Sequence, residues 1–148
     1  MNALDLDQAL AFNREKACRT LVLLRASLDG YSRYEPARAY SPKELEPFDA
    51  LADRFVRAVE CGLHYMRSLE LAQFAEQSES TRSLLDRMEK LGVVSEAVLW
   101  MQMRNIRNRI VHDYLPEQVA EMFGLVTEAF APELLQFAAR LEAEAASR

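Results

Sequence analysis

Phe48, Leu51, Phe55, Val59, Leu63 and Met66 recur every three or four residues along one stretch of the chain, and no other feature limits the possible folds so strongly. Side chains at that spacing share one face of an α-helix, and the face needs a second element to cover it. The stretch begins at Ser41-Pro42-Lys43-Glu44, where the serine can cap, the proline suits the first helical position and the glutamate can reach back to the cap amide. Pro47 lies close enough to that start to be tolerated, and the stripe continues to about Phe74.

The same period returns elsewhere. Leu10, Ala17, Leu21, Leu24 and Leu28 predict a helix from about Asp7 to Leu28, stopping before Gly30. Leu84, Leu85, Met88 and Leu91 predict a short helix that Gly92 would terminate. Ser95 can cap a fourth helix, from about Glu96 to Tyr114. Leu115-Pro116 ends it and starts a fifth, through Val119, Phe123, Val126, Phe130, Leu134, Ala138 and Leu141, with Pro132 a candidate kink. Between the first two helices, "GYSRYEPARAYSP" breaks the pattern with its prolines and reads as a connecting loop. No strand alternation, repeat or low-complexity tract interrupts this order, and Gly and Pro together number only nine. The expectation is one all-α domain over residues 1–148. It would be an antiparallel bundle of about five helices, large enough to bury a core without staples.

Charge and termini narrow the function classes. A net charge of -5 argues against a nucleic-acid binder held by a broadly basic surface. The distribution is uneven: residues 117–148 carry six acidic and two basic side chains, whereas 96–116 carry Arg104, Arg107 and Arg109 against Glu96 and Asp113. The start, "MNALDLDQAL", lacks the basic residues and apolar run of a signal peptide. No apolar stretch approaches the roughly 20 residues that cross a bilayer, so the expectation is a soluble, cytoplasmic protein with no membrane partner. Cys18 and Cys61 fall inside apolar helical patterns and read as reduced core residues. His64 follows Cys61 without a third ligand at helical spacing, and no metal site is expected.

The basic character gathers in "RNRIVHDY", Arg107 to Tyr114. With Arg107 at zero and steps of about 100° per residue, Leu99, Met103, Ile106 and Ile110 fall on one side of it. Trp100, Val111 and Tyr114 lie close around zero, so an apolar face is expected to surround the arginine, with Gln102, Asn105, Arg109 and Asp113 on the solvated face opposite. Arg104, Asn108 and His112, successive at i, i+4 and i+8, form a third stripe bordering Arg107. A guanidinium in an apolar stripe requires a counter-charge, a partner subunit or an anionic ligand. One reading pairs Arg107 with a carboxylate such as Glu60 or Glu70 and leaves His112 a satisfied core histidine. The other takes the three side chains together, as a cation for phosphate oxygens, an amide to orient and an imidazole that exchanges a proton near neutral pH.

Arg107-Asn108, three residues, His112, one residue and Tyr114, near the end of the fourth helix of a short acidic bundle, resembles the HEPN superfamily, and within it the HepT-like toxins. The resemblance implies a metal-independent endoribonuclease that needs no cofactor and acts as a homodimer, with two motif copies facing each other across a cleft. Arg107 would stabilise charge on the phosphoryl oxygens, and Asn108 would orient His112 or the phosphate. His112 would act as base on the ribose 2′-OH or as acid toward the leaving oxygen, giving a cyclic phosphate and a 5′-hydroxyl. Arg104 would be an auxiliary phosphate contact. HepT-like toxins are typically paired with a nucleotidyltransferase antitoxin that transfers AMP to the motif tyrosine, here Tyr114. Asp113 departs from the small or variable residue usual before that tyrosine. Two alternatives stay open: a non-catalytic module like the helical substrate-binding subunits of minimal nucleotidyltransferases, and a helical scaffold with a buried Arg107–carboxylate pair. Tyr31, Tyr34 and Tyr40 with Arg33 and Arg38 read either as an RNA-contacting loop or as a loop pinned by its rings. The acidic fifth helix reads as a solvated face or as a surface that a basic partner grips.

Overall fold

A computed structural model of the chain describes residues 2–112 and 115–147, with residues 111 and 112 described as backbone alone. The described residues are helical apart from their connections: α1 (Ala3–Asp29), α2 (Pro42–Phe74), α3 (Thr81–Lys90), α4 (Ala97–His112), α5 (Pro116–Gly124), a π-helical segment (Leu125–Phe130) and α6 (Ala131–Ala146). The backbone stays helical from α5 through the π segment into α6. The described residues therefore form five rods, and the all-α bundle expected from periodicity is the fold.

Local chemistry sets most of the ends. Asn2 caps α1 by accepting from the Asp5 amide at 2.9 Å, which starts the helix earlier than its apolar stripe indicates. At α2 both halves of the capping box are made: the Glu44 amide donates to the Ser41 hydroxyl and the Ser41 amide donates to the Glu44 carboxylate. The Ser41 amide, its hydroxyl and then Arg38 hold the Glu44 carboxyl below its ordinary pKa. Gly92 ends α3 with φ 76°, and the Val93 amide reaches back to the Met88 carbonyl at 2.9 Å. Ser95 does not act as the expected cap of α4. Its hydroxyl bonds Gln136 and Arg140 of α6, and Glu89 accepts from the Ala97 amide at 2.9 Å. The break expected at Pro132 appears one turn earlier as the π segment. Proline lacks an amide and crowds the carbonyl four residues back, and the widened turn accommodates it; the Ala131 amide donates to the Val126 carbonyl, five residues away.

The core lies where α2, α4 and α6 meet, with α1 packed along α2 and against α6. Trp100 of α4 is fully buried, 4.9 Å from the Phe137 ring of α6, and its indole N–H donates to Glu133 at 3.3 Å. Phe55 stacks on Phe130 at 5.9 Å. Most of the few buried polar groups are met from another element, although Arg14 Nε and Arg87 Nη1 have no hydrogen-bond partner among the described residues. Arg14 of α1 meets Glu144 of α6 at 2.9 Å, and the Tyr65 hydroxyl of α2 donates to the same carboxylate. Burial first, and Glu144 second, push the Tyr65 phenol well above its ordinary pKa. Cys18 and Cys61 are free and half-buried against the core, and burial raises the Cys18 thiol pKa. No helix among the described residues is long and apolar enough to cross a membrane.

Gly62 lets Trp100 of α4 and Phe137 of α6 pack close against α2. A Cβ added there would lie 3.1 Å from Phe137 and 3.2 Å from Trp100, two rings with no room to retreat. Alanine would gain up to about 1 kcal/mol of helix propensity but cost about 1–3 kcal/mol in overpacking. Gly62→Ala is therefore expected to lower the melting temperature by about 3 °C in thermal circular dichroism, and an unchanged or raised midpoint would contradict this account of the core.

Candidate functional site

The motif lies on the C-terminal half of α4, and the way that helix buries itself decides what the motif presents. Ala97, Trp100, Met103 and Ile106 are buried, spaced by three residues each time. Three residues advance about 300°, some 60° short of a full turn, so the buried stripe winds around the helix as it proceeds. By Ile106 the stripe has rotated away from Arg107. The apolar surround expected for Arg107 on a straight stripe is thus not found: its side chain is 57% exposed, on the flank of the helix that borders α2.

Arg107 Nη1 meets Glu60 Oε1 of α2 at 2.7 Å, with Glu60 39% exposed. Glu70, the other acid considered, is occupied elsewhere. It is fully buried, accepts from the Ser78 amide at 2.7 Å and from the Ser78 hydroxyl, and faces Arg87 at 3.2 Å. The counter-charge to Arg107 therefore exists, but at the surface. An ion pair so exposed contributes about 0–1 kcal/mol, which removes the reading of a buried scaffold pair.

Arg104 and Asn108 are exposed, one turn apart, and have no hydrogen-bond or ion-pair partner among the described residues. Arg109 differs from its expected solvated setting. It is one-third exposed and leans on Glu121 of α5 at 3.5 Å. α4 ends at His112, one turn beyond Asn108. The His112 side chain, with Asp113 and Tyr114, lies outside the described residues.

Beside Arg107 runs a groove of about 590 Å³ between α2, the end of α4 and α5. Its walls include Phe48, Val56, Ile110, Met122 and Phe123, and Asp49 and Asp53 share its rim with Arg107. Asp53 is itself paired with Arg57 at 2.9 Å. Among the described residues no three His, Cys, Asp or Glu side chains come together in a way that could hold a metal ion. His64 is exposed on α2.

Residues 18–143 match the family described as nucleotidyltransferase substrate binding protein like. The chain belongs to this family. The match runs from the middle of α1 into the last turn of α6 and includes all of α2 to α5. No curated protein matches the chain. Family membership fits the association with a nucleotidyltransferase that the HepT resemblance implied, and it is common ground for the ribonuclease and binding-module readings.

Glu60 is the site residue that the sequence reading named only as one of two examples. The signal that picks it out is Gly62, two residues on, which admits Trp100 and so fixes the register of α4 against α2. Because the Arg107–Glu60 pair is exposed, Arg107→Ala is expected to leave the helical signal intact and to cost at most about 1 kcal/mol. Thermal circular dichroism checks this, and a collapse of the fold would contradict the surface placement of the pair.

Proposed function

We propose that this member of the nucleotidyltransferase substrate-binding-like family is a metal-independent endoribonuclease acting as a homodimer, restrained by a nucleotidyltransferase partner. The observation that carries the reading is the joint exposure of Arg104, Arg107 and Asn108 on the one helix that ends in His112. Three polar groups fit to meet a phosphodiester stand on the surface of an otherwise acidic chain, where a polyanion can reach them.

The roles follow from the donors available. A guanidinium has five N–H groups, and Glu60 engages Nη1. The rest of the fork can hold a non-bridging phosphate oxygen and stabilise the charge that grows there as the phosphorus becomes five-coordinate. Glu60 meanwhile restrains the long side chain, which reduces the entropy lost when substrate binds. Arg104, a turn back, takes the neighbouring phosphate. His112 removes the 2′-OH proton and a histidine returns a proton to the 5′ oxygen, so the cleaved strand leaves as a 2′,3′-cyclic phosphate and a 5′-hydroxyl. Asn108 orients the imidazole or the phosphate. Transfer of AMP to Tyr114 by the partner would add bulk and negative charge two residues from His112 and repel the RNA backbone.

A second reading has its own support. The family's description is of a substrate-binding protein, and a guanidinium already neutralised by Glu60 suits recognition as well as catalysis. Here the helix face would present a substrate to the nucleotidyltransferase without cleaving it.

Cell growth and RNA integrity on expressing the wild-type chain beside His112→Ala and Arg107→Ala, all at equal soluble level, separate the two. Growth arrest and chelator-resistant RNA cleavage by the wild type alone are the expected outcome. Equal growth with intact RNA in all three strains overturns the ribonuclease reading in favour of the binding module. With the partner co-expressed, an AMP mass increment that is absent from Tyr114→Phe is expected by mass spectrometry.

A further inference from the structure

A second polar site lies away from α4, where the C-terminal end of α1, the loop that follows it and the first turns of α2 enclose a cavity of about 490 Å³. Arg33, Arg38 and Arg54 line it, against a single carboxylate, Glu44. In a chain of net charge -5, three guanidiniums around one cavity make a local excess of positive charge. Glu44 offsets only part of it, since its carboxylate closes the α2 capping box and pairs with Arg38.

The guanidiniums are held in different ways. Arg54, which lines the cavity, donates from one nitrogen, Nη1, to the Ser27 hydroxyl at 2.9 Å and the Leu23 carbonyl at 3.2 Å, and its other nitrogens have no hydrogen-bond partner among the described residues. Arg38 lies 4.8 Å over the Tyr40 ring, and Tyr40 in turn stacks on Tyr34 at 5.1 Å with the rings 19° apart. Arg33 is exposed and has no hydrogen-bond or ion-pair partner among the described residues. The loop that carries these groups is rigidly tied. The Tyr31 hydroxyl accepts from the Tyr34 amide at 3.2 Å, and the Tyr40 hydroxyl accepts from the Glu35 amide at 2.9 Å. The tyrosines are therefore pins, as one of the two sequence readings had it, and the pinning preorganises the arginines.

We propose that this cavity binds a nucleotide. The column Tyr34–Tyr40–Arg38 ends in a guanidinium that lines the cavity and is half exposed, and on which a planar base can stack as it does on an aromatic ring. The phosphate then lies among Arg33 and the unspent nitrogens of Arg54, where charge-assisted hydrogen bonds are strongest. The volume falls within the range of small-ligand pockets, and inorganic phosphate would leave the stacking face unused. The nucleotide comes either free or as one unit of a single-stranded RNA. The chemistry that recognises it is the same.

This site uses no residue of α4, so it succeeds or fails independently of the ribonuclease reading. Isothermal titration of the purified full chain with AMP, ribose 5-phosphate, inorganic phosphate and a hexa-adenylate RNA tests it. Binding of AMP assigns a free nucleotide, and binding of the RNA alone assigns a strand. In either case Arg33→Ala and Arg38→Gln, checked for an unchanged melting temperature, are expected to weaken binding about tenfold each, the first through a lost charge-assisted hydrogen bond and the second through a lost stacking face. His112→Ala is expected to bind as the wild type does. The proposal is overturned if neither AMP nor RNA binds, if binding survives both arginine substitutions, if inorganic phosphate competes as well as AMP, or if His112→Ala abolishes binding.

Discussion

The seat of Trp100 against Gly62 is the contact on which the rest of the molecule depends. The missing side chain at Gly62 lets the indole ring sit against the backbone of α2, while Phe137 covers it from α6 and Glu133 takes its N–H. One residue thereby locks three helices in both distance and register, because a large rigid ring in a close-packed interior has one position and no slack. Ile110, ten residues on, shares a groove with Val56, so α4 runs antiparallel to α2 from that anchor. That register brings Arg107 to Glu60. A shift of one turn would offer Arg107 a different neighbour on α2.

The polar contacts divide into those that hold the bundle and those that face outward. Glu70, Glu133 and the Arg14–Tyr65–Glu144 cluster are buried or nearly so, and each carboxylate is met by donors from another element or from the adjoining loop. An unpaired charge at any of them would be costly, which makes them structural. The Arg107–Glu60 pair is different in kind. Water reaches both partners, so the pair adds little to stability and its geometry can be exchanged for a ligand's. The same distinction applies to the loop after α1. Its tyrosine hydroxyls are used on backbone amides, whereas Arg33 is exposed and has no hydrogen-bond or ion-pair partner among the described residues. In both places rigid surroundings hold a guanidinium at the surface, the arrangement that favours recognition of phosphate without a large ordering cost.

The belonging of the chain to the nucleotidyltransferase substrate-binding-like family gives these surfaces a common context. α4 and the α1–α2 loop are separate segments, yet Phe48 lines both the groove beside Arg107 and the cavity beside Arg38. One aromatic residue of α2 thus contributes a wall to each. The ring cluster of Tyr31, Tyr34, Tyr40, Phe48 and Phe123 that fills the space between them is continuous, with neighbouring centroids 5.1–6.2 Å apart.

The all-α class, the order of the helices, the Ser41 capping box and the Gly92 stop were legible in the sequence because each depends on residues within a few positions of one another. The motif Arg107-Asn108-His112 was legible for the same reason, as a local spacing. What the sequence could not settle was which way each helix turns its faces. A fixed 100° wheel put Arg107 among apolar residues, but packing against α2 and α6 buries every third residue of α4 and carries the stripe past it. Pro132 announced an interruption, and only the structure shows it as a π turn upstream, with Phe130 and Phe137 both in the core. Glu60 and Glu70 look alike along α2, ten residues apart, and tertiary contact alone assigns one to Arg107 at the surface and the other to Ser78 and Arg87 in the interior. The sequence by itself determined the helices and the chemistry they carry; the tertiary structure decided which charges face water, because burial is a property of the neighbours a helix acquires and not of the residues it contains.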